Sequence, residues 1–129
     1  MRVLVDTECW LWMIGEPGRL SRRSRSILRS LENELFFSAV SSWEIVIKHA
    51  LGRLPLPQAP ARLVPRLLAR TTTSSLPVHH SHALAVADLP HHHRDPFDRI
   101  LIAQARVEGL PILTSDRHLA AYDVEILWA

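Results

Sequence analysis

The sequence predicts an α/β protein: a small open parallel sheet with helices on both faces. Two observations lead there. Short apolar, β-branched or aromatic runs occur at residues 2–5, 35–40, 76–78, 111–114 and 124–128. Stretches whose apolar residues recur at helical spacing lie between them. Strands that alternate with helices pair in parallel through right-handed crossovers. A length of 129 residues, 47% of them apolar, supports one core, so residues 1–129 are expected to form a single domain.

The elements follow in order. Residues 2–5 read as a strand that ends on Asp6, which is placed to cap a short helix over 8–14. Helical spacing over 21–32 puts Ile27, Leu28 and Leu31 on one stripe and arginines elsewhere. After the strand at 35–40, a helix over 42–51 carries Trp43, Ile47 and Ala50. Ser41 and Glu44 match a capping box at its start. The proline-rich stretch 54–60 is a stiff connection. A helix over 59–70 presents Leu63, Leu67 and Leu68, and 71–75 reads as a polar turn ahead of the strand at 76–78. Residues 82–89 form an alanine-rich helix. Asp95 and Pro96 start a longer one over 97–108, which Gly109 stops. Asp116 can cap a turn at 117–120 between the last two strands.

Composition excludes several classes. The longest apolar run, residues 9–14, is far shorter than the roughly 20 residues a membrane-crossing helix needs. The start, Met1-Arg2-Val3-Leu4-Val5-Asp6, lacks the long apolar stretch of a secretion signal. Together with a lone cysteine, Cys9, this predicts a cytoplasmic protein without disulfides. Cys9 reads as a small buried hydrophobe. The net charge of +2, with Lys48 the only lysine, is compatible with a nucleic-acid partner.

The acids carry the functional signal. Asp6 follows the first strand and Asp116 the fourth. Glu44 opens the helix after the second strand, and Asp95 and Asp98 open the helix before the fourth. Carboxyl ends of strands and adjoining helix starts share one edge of an open parallel sheet, where ligands bind. Each acid also reads as a helix-end residue taken singly. Together they would repel one another unless a cation joined them. Oxygen donors select a hard ion, Mg²⁺ or Mn²⁺. Such an ion can activate water against a phosphodiester, which agrees with the lack of any serine or cysteine nucleophile motif.

At Val3–Thr7, at Ser38–Ile45, at His82–Pro90 with His93–Ala105, and at Leu113–Asp116, the sequence resembles the PIN-domain nucleases. The resemblance is closest to the VapC-type toxins of bacterial toxin–antitoxin pairs. It implies a three-layer α/β/α sandwich with a five-stranded parallel sheet. It implies a Mg²⁺- or Mn²⁺-dependent endoribonuclease whose metal is held by Asp6, Glu44, Asp98 and Asp116. Asp6 and Asp98 would be direct ligands, and Glu44 and Asp116 would act partly through waters. Thr7, Thr114 and Asp95 would orient the carboxylates. The implied reaction is attack by metal-activated water, leaving a 5′-phosphate and a 3′-hydroxyl. The implied partners are a VapB-type antitoxin and a second copy of the chain in a homodimer. Glu8 and Cys9 depart from the usual pattern of these toxins without removing a core acid.

Other features are read beside this. His79, His80, His82 and His91–His93 invite a transition-metal reading, but three histidines in a row seldom ligate one ion, so they read as solvated loop residues, with His93 packing beside Arg94 and Asp95. The run Arg19, Arg22, Arg23, Arg25 and Arg29 reads as a solvated helix face, or as a surface for RNA or for an acidic antitoxin segment. Arg94 and Arg99 flank Asp98 and are candidates for phosphate binding. Trp10, Trp12 and Met13 form either core packing or an exposed strip for a partner. A phosphoacceptor signalling module is disfavoured, since no acid ends the strand at 76–78 and no lysine comes late in the chain. The rival that remains is a catalytically silent PIN-like module that binds RNA or a partner.

Overall fold

The computed structural model describes residues Met1–Ala129. Five strands, β1 (Arg2–Val5), β2 (Glu34–Ser38), β3 (Thr73–Leu76), β4 (Ile112–Thr114) and β5 (Ile126–Trp128), form one sheet in the order β3-β2-β1-β4-β5. Every pairing is parallel. Six helices surround it: α1 (Thr7–Gly15), α2 (Arg22–Arg29), α3 (Ala39–Ala50), α4 (Pro60–Arg70), α5 (His80–Ala85) and α6 (Pro96–Glu108). Short 3₁₀ turns at Pro17–Arg19, Val86–Asp88 and Arg117–Ala121 complete the chain. The expected α/β sandwich with five parallel strands is present.

Strand periodicity divides the core in two. Side chains alternate across a strand, so Val3 and Val5 of β1 join Leu35 and Phe37 of β2 on one face, with Trp10, Leu28 and Leu67 from α1, α2 and α4. Leu4, Phe36 and Ile112 point the other way and meet Leu101, Ile102 and Ala105 of α6. Trp10 stacks on Phe37 at 4.0 Å between ring centres, and its Nε1 donates to Thr73 Oγ1 at 3.3 Å. Trp12 and Met13 are partly buried against the same cluster. Core packing, not an exposed strip, accounts for α1. Truncating a fully buried leucine such as Leu4 should destabilise the fold by about 2–5 kcal/mol.

The strand order also sets the position of the cleft. From β1 the chain moves one way to β2 and β3, then returns to place β4 and β5 on the other side. The order therefore reverses between β1 and β4, and a crevice opens beyond their carboxyl ends.

Several boundaries differ from expectation, each for a physical reason. Helix α3 starts at Ala39, directly after β2, because Ser38 Oγ accepts from the Val40 backbone N–H at 3.1 Å. Ser38 is the cap, so Ser41 and Glu44 do not form a capping box. The buried face of α3 becomes Val40, Ser41, Glu44 and Ile45, and Trp43 is exposed. The polar stretch expected as a turn supplies β3, Thr-Ser-Ser-Leu. As an edge strand it pairs only with β2 and needs no apolar run. Helix α2 stops at Arg29, leaving Leu31 outside it and 93% exposed. His82 is fully buried rather than solvated. Its Nδ1 accepts from the His79 N–H at 3.0 Å and its Nε2 meets Glu108 Oε1 at 2.8 Å, which ties α5 to α6.

Candidate active site

The crevice beyond β1 and β4 is a cleft of about 350 Å³ lined by six carboxylates and two basic side chains. The acids are Asp6, Glu8, Glu44, Asp95, Asp98 and Asp116; the bases are Lys48 and Arg53. The four acids expected as metal ligands, far apart in sequence, are thus together.

Asp6 leaves β1 in extended conformation and caps α1, with Oδ1 accepting from the Cys9 N–H at 2.8 Å. Its other oxygen accepts from the hydroxyl of Thr114, the last residue of β4. That hydroxyl also accepts from the Asp116 N–H at 3.0 Å, so one buried threonine holds Asp6 and starts the turn that carries Asp116. Burial raises the Asp6 carboxyl above its ordinary value, against the hydrogen bonds from Thr114 and Cys9.

Glu44 projects from the inner face of α3. Thr7 Oγ1 donates to its Oε1 at 2.7 Å, and Lys48 Nζ, one turn along the helix, pairs with Oε2 at 2.7 Å. The hydrogen bond to Glu44 holds the Lys48 ammonium above its ordinary value. Thr7 and Thr114 thus each donate to one carboxylate.

The opposite wall is built from α6 and the segment before it. Asp95 caps α6, its Oδ1 accepting from the backbone N–H groups of Phe97 at 2.9 Å and Asp98 at 3.4 Å. Asp98 lies in the first turn, and its Oδ2 is 2.8 Å from His93 Nε2. Burial, then the charge of Asp95, pushes Asp98 up to about 7; His93 opposes the rise while Asp116 and Glu44 add to it. The same ring nitrogen of His93 reaches Asp116 Oδ2 at 3.3 Å. Asp116 also accepts on Oδ1 from the His118 N–H at 3.0 Å and meets His118 Nδ1 at 2.9 Å. Burial raises Asp116, but the two His118 bonds and His93 outweigh it and leave the carboxyl below its ordinary value.

Arg99 is not a phosphate contact. It is 8% exposed, and its guanidinium donates to the carbonyls of Pro90 at 2.9 Å, Val86 and Leu89 at 3.3 Å and His93 at 3.4 Å, and to Tyr122 Oη at 3.3 Å. It is the anchor of the segment that carries His93. One turn of α6 beyond Asp95, its side chain points under that segment rather than into the cleft. Arg94 is exposed.

His93 is the site residue that pattern reading missed. Its only signal was its place just before the helix start at Asp95-Pro96, where the chain must fold back over Asp98. Lys48 was missed too, although its spacing of four from Glu44 on one helix makes the pair legible.

An oxygen-rich donor set, with two carboxyls raised largely because burial leaves them without enough neighbouring positive charge, fits a hard divalent ion. Asp6, Glu44, Asp98 and Asp116 are the residues that could hold one.

The sequence model of the PIN domain matches residues 3–125. The chain belongs to the PIN-domain family. This PIN domain is similar to Ribonuclease VapC16 of Mycobacterium tuberculosis (strain ATCC 25618 / H37Rv), with 42% identity over 59 residues. The matched stretch is 46% of this chain and 42% of that protein, so less than half of the relative is covered. The crystal structure of VapBC2 from Rickettsia felis, bound to a DNA fragment from their promoter, contains a chain of the same fold. Its TM-score is 0.74 at 10% identity, over 99% of this PIN domain and 98% of that chain. A chain of VapBC-5, a toxin–antitoxin system of Mycobacterium tuberculosis, matches at TM-score 0.63 and 20% identity, over 99% and 98%. No helix is long and apolar enough to cross a membrane.

Proposed function

We propose that this PIN domain is the toxin of a type II toxin–antitoxin pair and acts as a Mg²⁺- or Mn²⁺-dependent endoribonuclease. The observation that carries the reading is the convergence of Asp6, Glu44, Asp98 and Asp116 in one cleft at the reversal of strand order. The likeness to a protein named as a ribonuclease, and to chains from VapBC complexes, supports it.

Asp6 and Asp98 would hold the metal in this reading, with Glu44 and Asp116 completing the acidic set. When bound, the ion activates a water and offsets the negative charge of the attacked phosphate. The chain does the rest. Thr114 and the Cys9 N–H fix the two oxygens of Asp6. Thr7 and Lys48 fix those of Glu44. Asp95 sets the first turn of α6 and with it the direction of Asp98. Exposed Arg94 binds the RNA backbone at the rim. In-line attack by water breaks the bond to the 3′ oxygen and leaves a 5′-phosphate and a 3′-hydroxyl.

Residues 1–129 act as one domain in the cytoplasm, as a homodimer whose clefts a VapB-type antitoxin covers. Purified protein should cut RNA only with Mg²⁺ or Mn²⁺, and mapping of the ends should find 5′-phosphates. Cyclic 2′,3′-phosphate ends would reject attack by water. Metal-dependent binding of RNA without cleavage would assign the silent binding module instead.

A further inference from the structure

His93, Asp116 and His118 sit at the outer edge of the cleft in an arrangement the ribonuclease reading does not use. One ligand atom from each lies within 4.8 Å of the other two. His118 Nδ1 is 2.9 Å from Asp116 Oδ1, and His93 Nε2 is 3.3 Å from Asp116 Oδ2 and 2.8 Å from Asp98 Oδ2. The imidazole rings are 5.2 Å apart and tilted by 35°. Ligand bonds of roughly 2.0–2.1 Å put neighbouring donors around a tetrahedral zinc ion about 3.3 Å apart. The spacings here are close to that. Drawing both ring nitrogens, which lie within 4.8 Å of each other, onto one ion calls for a movement of His118, whose side chain is 73% exposed.

We propose that His93 Nε2, His118 Nδ1 and the Asp116 carboxylate form a site for Zn²⁺, with Asp98 Oδ2 or a water as fourth ligand. Neutral imidazole nitrogens are borderline donors that suit zinc and are poor ligands for Mg²⁺, so this site differs in chemistry from the all-oxygen set deeper in the cleft. Ligation by His93 Nε2 requires its ring proton on Nδ1. That displaces the long contact from the Asp95 N–H at 3.4 Å and replaces the Nε2 hydrogen bonds to Asp98 and Asp116 with ligation. The site faces solvent through His118, so an ion can reach it from outside. Its occupation draws Asp116, and in the four-residue form Asp98, away from the hard ion. Zinc is therefore an inhibitor of cleavage if the ribonuclease reading holds, while zinc binding itself does not depend on that reading.

Co²⁺ provides the probe, titrated into the full chain and followed by visible absorption. The expected result is a one-to-one complex with the strong bands of tetrahedral cobalt, displaced by Zn²⁺ but not by excess Mg²⁺. His118→Ala and His93→Ala should each weaken Co²⁺ binding by about tenfold or more, as loss of a metal-site partner does. Asp6→Asn, a residue with no hydrogen bond to either histidine, should leave the bands in place. Weak octahedral bands, bands removed by Mg²⁺, or affinities unchanged in both histidine variants would overturn the proposal and leave His93 and His118 as hydrogen-bond partners only. Mg²⁺-dependent cleavage by the same preparation is scored separately, so failure of the zinc site and failure of the ribonuclease reading are told apart.

Discussion

The two walls of the cleft hold their acids by different means. On the wall made by β1, β4 and α3, hydroxyls from regular elements clamp the carboxylates: Thr114 on Asp6 and Thr7 on Glu44. On the wall made by α6 and the segment before it, a loop histidine does so, with His93 between Asp98 and Asp116. That loop is itself suspended from the buried Arg99. The first wall is as rigid as the sheet. The second depends on a guanidinium that meets carbonyl dipoles and a phenol. A cleft assembled this way has one side held by regular elements and one side whose order can be lost separately.

The largest test removes one proposed ligand from each wall. Asp6→Asn and Asp98→Asn should each reduce metal-dependent RNA cleavage by more than about a hundredfold, beyond what loss of an outer hydrogen bond brings, with far-UV circular dichroism unchanged. If only one of the two matters, the metal lies on a single wall.

Loss of an outer support comes next. Thr114→Val keeps the shape of the side chain and deletes the hydroxyl shared by Asp6 and the Asp116 N–H. It should weaken Mn²⁺ binding by about 10- to 100-fold, measured by calorimetry. Arg99→Gln acts on the other wall. It should destabilise the protein by about 2–3 kcal/mol in urea, since charged donors to buried carbonyls are lost. It should also free the His93 segment in amide exchange while protection of β1 and β4 persists.

The pH dependence is smaller and has a definite sign. In metal-free protein Asp98 titrates near 7, above the ordinary carboxyl value of 3.8. A group raised by folding contributes stability that is complete below its unfolded value and is lost as pH rises through the folded one. The melting temperature of metal-free protein should therefore fall between about pH 4 and 8. Asp98→Asn should flatten that fall and saturating Mg²⁺ should oppose it. The smallest effect belongs to Arg94→Ala, an exposed charge whose loss should weaken RNA binding a few-fold and lower its salt dependence by about one phosphate contact.

The contrast between the walls also explains what pattern reading could and could not recover. Asp6, Thr114 and Asp116 were legible because a short apolar strand fixes where its next residue emerges in a parallel sheet. Gly109 was legible as the stop of α6, and its φ of +65° is the left-handed conformation that glycine adopts freely. Glu44 does line the cleft, but its local environment was misread, because the cap at Ser38 turned α3 and changed which face is buried. Arg99 and His93 were misjudged for a common reason. Proximity to Asp98 in sequence says nothing of direction when one residue lies a third of a turn along a helix and the other in an irregular segment. Strand β3 was expected three residues too late, at 76–78, because an edge strand of Thr-Ser-Ser-Leu carries no apolar run.

Direct metal binding is the most telling measurement. Titration of Mn²⁺ into the parent protein and into Asp6→Asn and Asp98→Asn, followed by calorimetry without RNA, separates the metal centre from any question of substrate. Saturable binding by the parent, with affinity at least about tenfold weaker in each variant, is the expected result. Equal binding by all three proteins, or none by the parent at millimolar Mn²⁺, would contradict a shared ion held between the two walls.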